Sequence, residues 1–231
     1  MVEHSEQGSP APRLARSLRR RDLAALIGVL AVLALVLQLV FNGPSAVTAP
    51  GGAVAGHTAR YEGSTVSPAL VAPPLALDNY LGTPVNLASY RGRAVLVTFL
   101  YTHCPDVCPL IASHLHTALG EMGAAERRRL AIVAVSVDPR GDTRGTVAQF
   151  LAAHRMTGQM QYLIGSAPAL RDVWKRWGVA DTPQGTAANP DLVAHSALIY
   201  GITAHGRIAE VFPANFAPAQ IVHDARVLAA S

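Results

Sequence analysis

Hydrophobic residues fall into three regimes along this 231-residue chain. Residues 1–22 are polar. Leu23–Phe41 reads LAALIGVLAVLALVLQLVF: nineteen residues, no charge and one polar side chain, Gln38. A helix of roughly 20 apolar residues spans a bilayer core. Residues 42–66 are rich in Gly, Ala, Pro, Ser and Thr and offer almost nothing to bury, which is the composition of a flexible stalk. From Pro68 onward short apolar runs alternate with amphipathic stretches, so residues 67–231 are expected to form one domain.

Inside that domain, two short apolar runs rich in β-branched residues predict buried strands at Ala94–Tyr101 and Leu130–Val137. A shorter strand is expected at Tyr162–Ile164. Ser196–Ile202 and Arg207–Phe212 are expected to pair through Thr203–Gly206, and Leu75–Leu77 with Val85–Leu87 through Gly82-Thr83-Pro84. Helices are predicted over Cys104–Met122 with Pro105 in the first helical position, and from an Asp142 or Thr143 cap to about His154. Two more cover Ala167–Trp177, ended by Gly178, and Ala217–Ala230. Strands and helices alternating in this order predict an α/β, thioredoxin-like fold, a central mixed sheet flanked by helices.

Charge adds an orientation. The net charge is +4, and residues 1–22 hold half of it, with five arginines against Glu3, Glu6 and Asp22. RSLRRRD precedes the apolar run and the uncharged NGPSAVTAPGG follows it. Positive charge stays cytoplasmic, so residues 1–22 are expected inside, 23–41 as a single-pass anchor, and the domain on the extracytoplasmic, periplasmic-side face of the cell membrane. A cleaved signal peptide is the rival, but its apolar core is about 7–15 residues. The small-residue site Ala53-Val54-Ala55 also lies far downstream. No basic stripe crosses the domain, which excludes a nucleic-acid footprint.

The chain's two cysteines, Cys104 and Cys108, are four positions apart in TFLYTHCPDVCPLI. Outside the cytoplasm a disulfide persists and a free thiol needs a reason to stay reduced. At i and i+4 on a helix start both sulfurs share one face. The helix N-terminus favours a thiolate at Cys104. The pair suits a redox couple, a disulfide, or a soft-donor site for copper(I) or zinc. A plain staple is the weakest reading, because a loop of three residues constrains little of the unfolded chain.

An imidazole is the usual complement of two thiolates at copper(II). There are nine histidines. His4 and His57 lie in the tail and stalk; His154, His205 and His223 read as solvated. His103 adjoins Cys104 on an irregular turn, and His114 and His116 lie too far along the cysteine helix to stack beside Cys108. His195, in DLVAHSALIY, stands at the mouth of a strand after a long polar loop. It is the best-placed third donor, although a lone histidine before a strand is more often structural.

GTPVNLASYRGRAVLVTFLYTHCPDVCP, VAVSVDPRGDT and LVAHSALIY together resemble the Sco/SenC family of copper chaperones. The resemblance covers roughly residues 68–228. It implies copper bound by Cys104, Cys108 and His195, and a role in maturing the binuclear copper centre of cytochrome c oxidase. The expected partners are the copper-bearing oxidase subunit and other copper chaperones or thiol reductases. Family members often carry an acid directly before this histidine, where Ala194 stands here, leaving Asp191 or a backbone carbonyl to orient the ring. Asp138 resembles a family acidic position near the metal and is equally a turn-former before Pro139.

Three other functions compete. A thiol–disulfide reductase would use Cys104 and Cys108 as a redox-active, catalytic pair to keep a partner's copper-binding cysteines reduced, without need of His195. A peroxiredoxin-type peroxidase needs Thr or Ser three residues before the attacking cysteine, where Tyr101 stands. A membrane-tethered scaffold leaves the paired cysteines unexplained. The expectation is a metallochaperone rather than an enzyme.

Overall fold

Two nearly unbroken apolar runs, AVLVTFL and LAIVAVS, make the middle of the sheet, and every residue of both is buried. Such runs suit parallel strands that are covered on both faces. The computed structural model describes residues 60–179, 182–183, 193–194 and 197–231, together with Ala31 and Leu33. The predicted anchor otherwise lies outside the described residues, among which no helix is long and apolar enough to cross a membrane. The chain divides into two units, Met1–Gly56 and His57–Ser231.

The second unit holds the strands β1 (Ser64–Val71), β2 (Ala76–Asn79), β3 (Pro84–Asn86), β4 (Ala94–Leu100), β5 (Leu130–Ser136), β6 (Gln161–Ile164), β7 (Thr182–Pro183), β8 (Val193–Ala194), β9 (Leu198–Ile202) and β10 (Arg207–Pro213). Its helices are α1 (Val107–Glu121), α2 (Ala124–Arg128), α3 (Arg144–Ala153), α4 (Ala167–Trp177) and α5 (Pro218–Ala229). Eight strands form one mixed sheet in the order β1-β10-β9-β4-β5-β6-β2-β3. β4, β5 and β6 run parallel, and β9 lies antiparallel to β4. β7 and β8 pair separately. α5 packs on α1 and over β4 and β9. This is the expected thioredoxin-like architecture, with predicted strand and helix limits shifted by a residue or two.

Two expectations change. The cysteine helix begins later than predicted: Asp106 is its N-cap, its carboxylate accepting the Val107 amide. Pro105 therefore precedes the cap and Cys104 stands outside the helix. A proline has no N–H to give the turn, and the aspartate after it is the better cap. Residues 60–66, assigned by composition to the stalk, belong to the folded unit. Tyr61 is buried, and β1 pairs with β10 from Ser64↔Val211.

What draws that segment in is a buried carboxyl pair. Asp224 of α5 accepts the Glu62 amide at 2.8 and 3.0 Å and the Gly63 amide at 2.9 Å, and lies 2.6 Å from His223 Nδ1. Burial opposes charge on Asp224, but the Glu210 carboxyl, His223 and the two amides outweigh it and hold Asp224 below the usual range. Glu210 of β10 is fully buried beside it, with no well-formed hydrogen bond to either oxygen. Burial, with Asp224 adding to it, pushes Glu210 up to about 10. Gly63 allows the close approach, since a Cβ there would sit 2.6 Å from Glu210 Oε2.

Stability should respond in two ways. A fragment starting at His57 should fold, and one starting at residue 67 should melt at least several degrees lower, because it loses Tyr61 and the amides that Asp224 requires. Equal melting temperatures would return residues 60–66 to the stalk. Glu210 keeps its proton when folded and loses it when unfolded above its ordinary range near 4.5. Stability should therefore fall as pH rises from 5 to 8. Glu210→Gln should flatten that fall, with a melting temperature above the parent's at pH 8 and near it at pH 5. Parallel pH profiles for the two proteins would refute the assignment.

Candidate metal centre

β4 ends at Leu100, and the chain turns through Tyr101, Thr102 and His103 before α1 starts. The Cys104 amide donates to the Tyr101 carbonyl at 3.3 Å, which closes this turn. It swings the Cys104 side chain back over the helix, where its Sγ accepts the Cys108 amide at 3.3 Å. Cys108 itself is on the apolar face of α1 with Ile111, Ala112, Leu115, Ala118 and Leu119, and is fully buried. Both cysteines are buried, and no disulfide joins them.

The two thiols are unequal. The Cys108 side chain, donating to the Cys104 sulfur, is the main cause that lowers Cys104 to about 6. Burial acts the other way, and the amides of Asp106 and Cys108 and the Tyr101 side chain assist the lowering. Cys108 moves up, first through the same hydrogen bond seen from the donor's side, then through burial and the Cys104 charge. The expected lowering at Cys104 thus has a cause more specific than a helix dipole: a neighbouring thiol and amides aimed at the sulfur.

The segment after β5 faces this turn. Thr143, not Asp142, caps α3, its side chain accepting the Thr146 amide at 3.2 Å. Asp138 accepts the Arg140 and Gly141 amides at 3.1 and 2.9 Å, the turn-forming role. It also joins His103 and Asp142 in a cluster whose potential ligand atoms lie within 4.8 Å of one another. Gly141 leaves that space open, since a Cβ there would run into the Asp138 carboxylate and sit 2.9 Å from His103 Nδ1.

Of the other histidines, His114 meets the Phe216 carbonyl at 2.8 Å through Nδ1, and His154 lies tilted against Phe150 with ring centroids 4.6 Å apart, while the buried His116 Nδ1 has no hydrogen-bond partner among the described residues. His195 and Asp191 lie outside the described residues. What the sequence missed is Asp142 as a buried junction. The signal was the pairing of Ser136 and Asp142 around the turn SVDPRGDT, each able to satisfy the other.

A family model described as SCO1/SenC matches residues 64–230. The chain belongs to the SCO1/SenC family. Members are Sco copper proteins involved in cytochrome oxidase assembly. Among solved structures similar to this Sco domain, apo Sco1 from Thermus thermophilus is 26% identical, covers 73% of this chain and 96% of that one, and has a TM-score of 0.64. Copper-bound ScoI from Bradyrhizobium japonicum is 27% identical over 68% of this chain and 99% of that one, with a TM-score of 0.58. The mitochondrial SCO1 homolog of Mus musculus is 25% identical over 154 residues, 66% of this chain and 54% of the relative. The chain spans about half the length of the curated relatives it matches.

The thiol asymmetry of this Sco domain is directly measurable. Iodoacetamide should label Cys104 with a midpoint near pH 6, while Cys108 stays unreactive through neutral pH. Cys108→Ala removes the donor to the Cys104 sulfur and should move that midpoint upward, with at least a tenfold slower reaction at pH 6. Coincident profiles for the two cysteines would contradict the hydrogen-bonded arrangement.

Proposed function

We propose that this chain is a membrane-anchored, extracytoplasmic copper chaperone. It holds copper through Cys104, Cys108 and His195 and delivers it to the copper-bearing subunit of cytochrome c oxidase, where the binuclear centre is built. The observation that carries this reading is the pair of buried cysteines at the start of α1, not joined by a disulfide, one of them held acidic. The copper-bound ScoI relative supports the choice of metal. The apolar run Leu23–Phe41 and the arginines before it support the anchor and its orientation.

The sheet supports His195 as third ligand. β9 runs antiparallel to β4 with Ile199 opposite Thr98, and the Thr98 hydroxyl donates to the Leu198 carbonyl at 3.2 Å. The chain therefore enters β9 at the end of the sheet from which the cysteine turn leaves. His195 is three residues before Leu198. Two sulfurs and one imidazole suit both copper(I) and copper(II). Copper is the cargo here. Cys104 offers a thiolate, Cys108 gives up its proton as its sulfur engages, and the imidazole completes the set. Returning that proton to Cys108 favours release to a recipient.

The thiol asymmetry also favours a second reading, a thiol–disulfide reductase. The Cys104 thiolate would attack a partner's disulfide and expel one partner thiolate. Cys108, losing its proton, would then attack Cys104 in the mixed disulfide. The partner leaves as a dithiol and Cys104–Cys108 as the disulfide, with two electrons passed.

His195→Ala separates the two. On the chaperone reading it abolishes stable copper(II) binding, seen as loss of the thiolate-to-copper charge-transfer band, and weakens copper(I) binding only partly. Cys104→Ser or Cys108→Ser removes both. Normal oxidase assembly at limiting copper in a strain carrying His195→Ala would replace the chaperone reading with the reductase one.

A further inference from the structure

Asp142 stands where four parts of the fold meet behind the cysteines. Its carboxylate is buried. Oδ1 accepts the Thr102 amide at 2.8 Å, at the root of the cysteine turn. Oδ2 accepts the Ser136 hydroxyl at 2.7 Å, at the end of β5, and the Tyr162 hydroxyl at 2.9 Å, from β6. Its own amide donates to the Asp138 carbonyl at 3.0 Å. Ser136 Oγ in turn accepts the Asp138 amide at 3.1 Å. The donors to the carboxylate, the Thr102 amide and the hydroxyls of Thr102, Ser136 and Tyr162, are all neutral, and among the described residues no cation forms an ion pair with it.

A buried charge without a counter-charge is costly. Burial pushes Asp142 up, against the lowering by Ser136, Thr102 and Tyr162. Its charge reaches Cys108, where it adds a smaller share to the rise caused mainly by Cys104 and burial. The carboxylate thus stands at the root of the cysteine turn, bonded to the amide two residues before Cys104, with no cation paired to it among the described residues.

We propose that Asp142 sets which oxidation state of copper the site prefers, its buried charge favouring copper(II) over copper(I). The inference rests on the copper-binding reading. The same two sulfurs and imidazole receive either ion, so their own charge is common to both. Copper(II) brings one more positive charge to a place of low dielectric constant near a fixed negative one. The carboxylate is then worth more to copper(II), and its removal acts selectively. A part that only held the turn in place would affect both ions alike.

Asp142→Asn tests this, because the amide oxygen still accepts from Thr102 while the hydroxyls of Ser136 and Tyr162 turn to accept from its NH2. The variant should fold with a melting temperature at or above the parent's. Competition against chelators should show copper(II) affinity reduced about tenfold or more relative to copper(I), so that bound copper is more readily reduced. Tyr162→Phe strips one donor from the same carboxylate without touching Thr102. It removes a donor that holds the carboxyl's pKa down, so the carboxyl is less ionised and the ratio should move the same way as in Asp142→Asn, by less. Equal loss of both ions, or an unchanged ratio in the folded variants, overturns the inference while leaving the copper reading intact. An Asp142→Asn chain that does not fold overturns it too, because the fold itself then requires the charge. A parent protein that binds neither ion overturns the copper reading and this inference together.

Discussion

The hydrogen bond from the Thr102 amide to the buried Asp142 carboxylate is the contact on which the site depends. β4 and β5 are parallel and in register, so their ends at Leu100 and Ser136 lie side by side. The turns leaving those ends must be fixed relative to each other, and one carboxylate does this by accepting from both. Tyr162 ties in the third parallel strand. The Trp174 indole, donating to the Ser136 carbonyl at 2.9 Å, buttresses the same point from α4. With Thr102 held, the turn closes through the Cys104 amide on the Tyr101 carbonyl, and the Cys104 sulfur meets the Cys108 amide of α1. Charge at the sulfur, position of the sulfur and the end of the sheet are thus one arrangement.

The fold was largely legible from the chain, for physical reasons visible in particular elements. β4 and β5 are apolar on both sides because both faces are covered, so their runs stand out from the amphipathic helices between them. α4 was placed to the residue, since Ser166 caps its start and Gly178 ends it in the left-handed conformation. β1 was not legible: its residues are mostly exposed at the sheet edge, and a strand with one half-buried face and a proline inside carries little periodic signal. Residues 60–63 were misread for a related reason. They are held by backbone amides on Asp224, and an amide leaves no mark on composition.

The site was legible in its parts and less so in its arrangement. Cys104 and Cys108 announced themselves by number and spacing, and a helix start beside Cys104 predicted an acidic thiol. The spacing suggested two residues of one helix. Instead, Asp106 takes the cap, and Cys104 folds back from outside. This changes the chemistry. A cysteine inside the first turn would compete with its own helix for amides, whereas one outside receives the Cys108 amide as an acceptor. Asp142 and Thr143 were both candidate caps, because either side chain can accept a first-turn amide. Thr143 does that work, which frees Asp142 to turn inward.

A protein that hands on a metal must bind it without keeping it, and the unequal thiols bear on that requirement. If both cysteines were acidic, neither would return a proton to oppose the metal, and soft-donor affinity alone would govern release. Here Cys108 holds its proton firmly, so at fixed pH metal and proton compete for the same sulfur. Cys104 is ready to engage without that competition. On the proposed chaperone function, capture would begin at one sulfur, and reprotonation of the other would assist release. The cost of ionising Cys108 comes mainly from Cys104, then from burial, with Asp142 adding to it. These are features of the turn and the sheet end, fixed before any metal arrives.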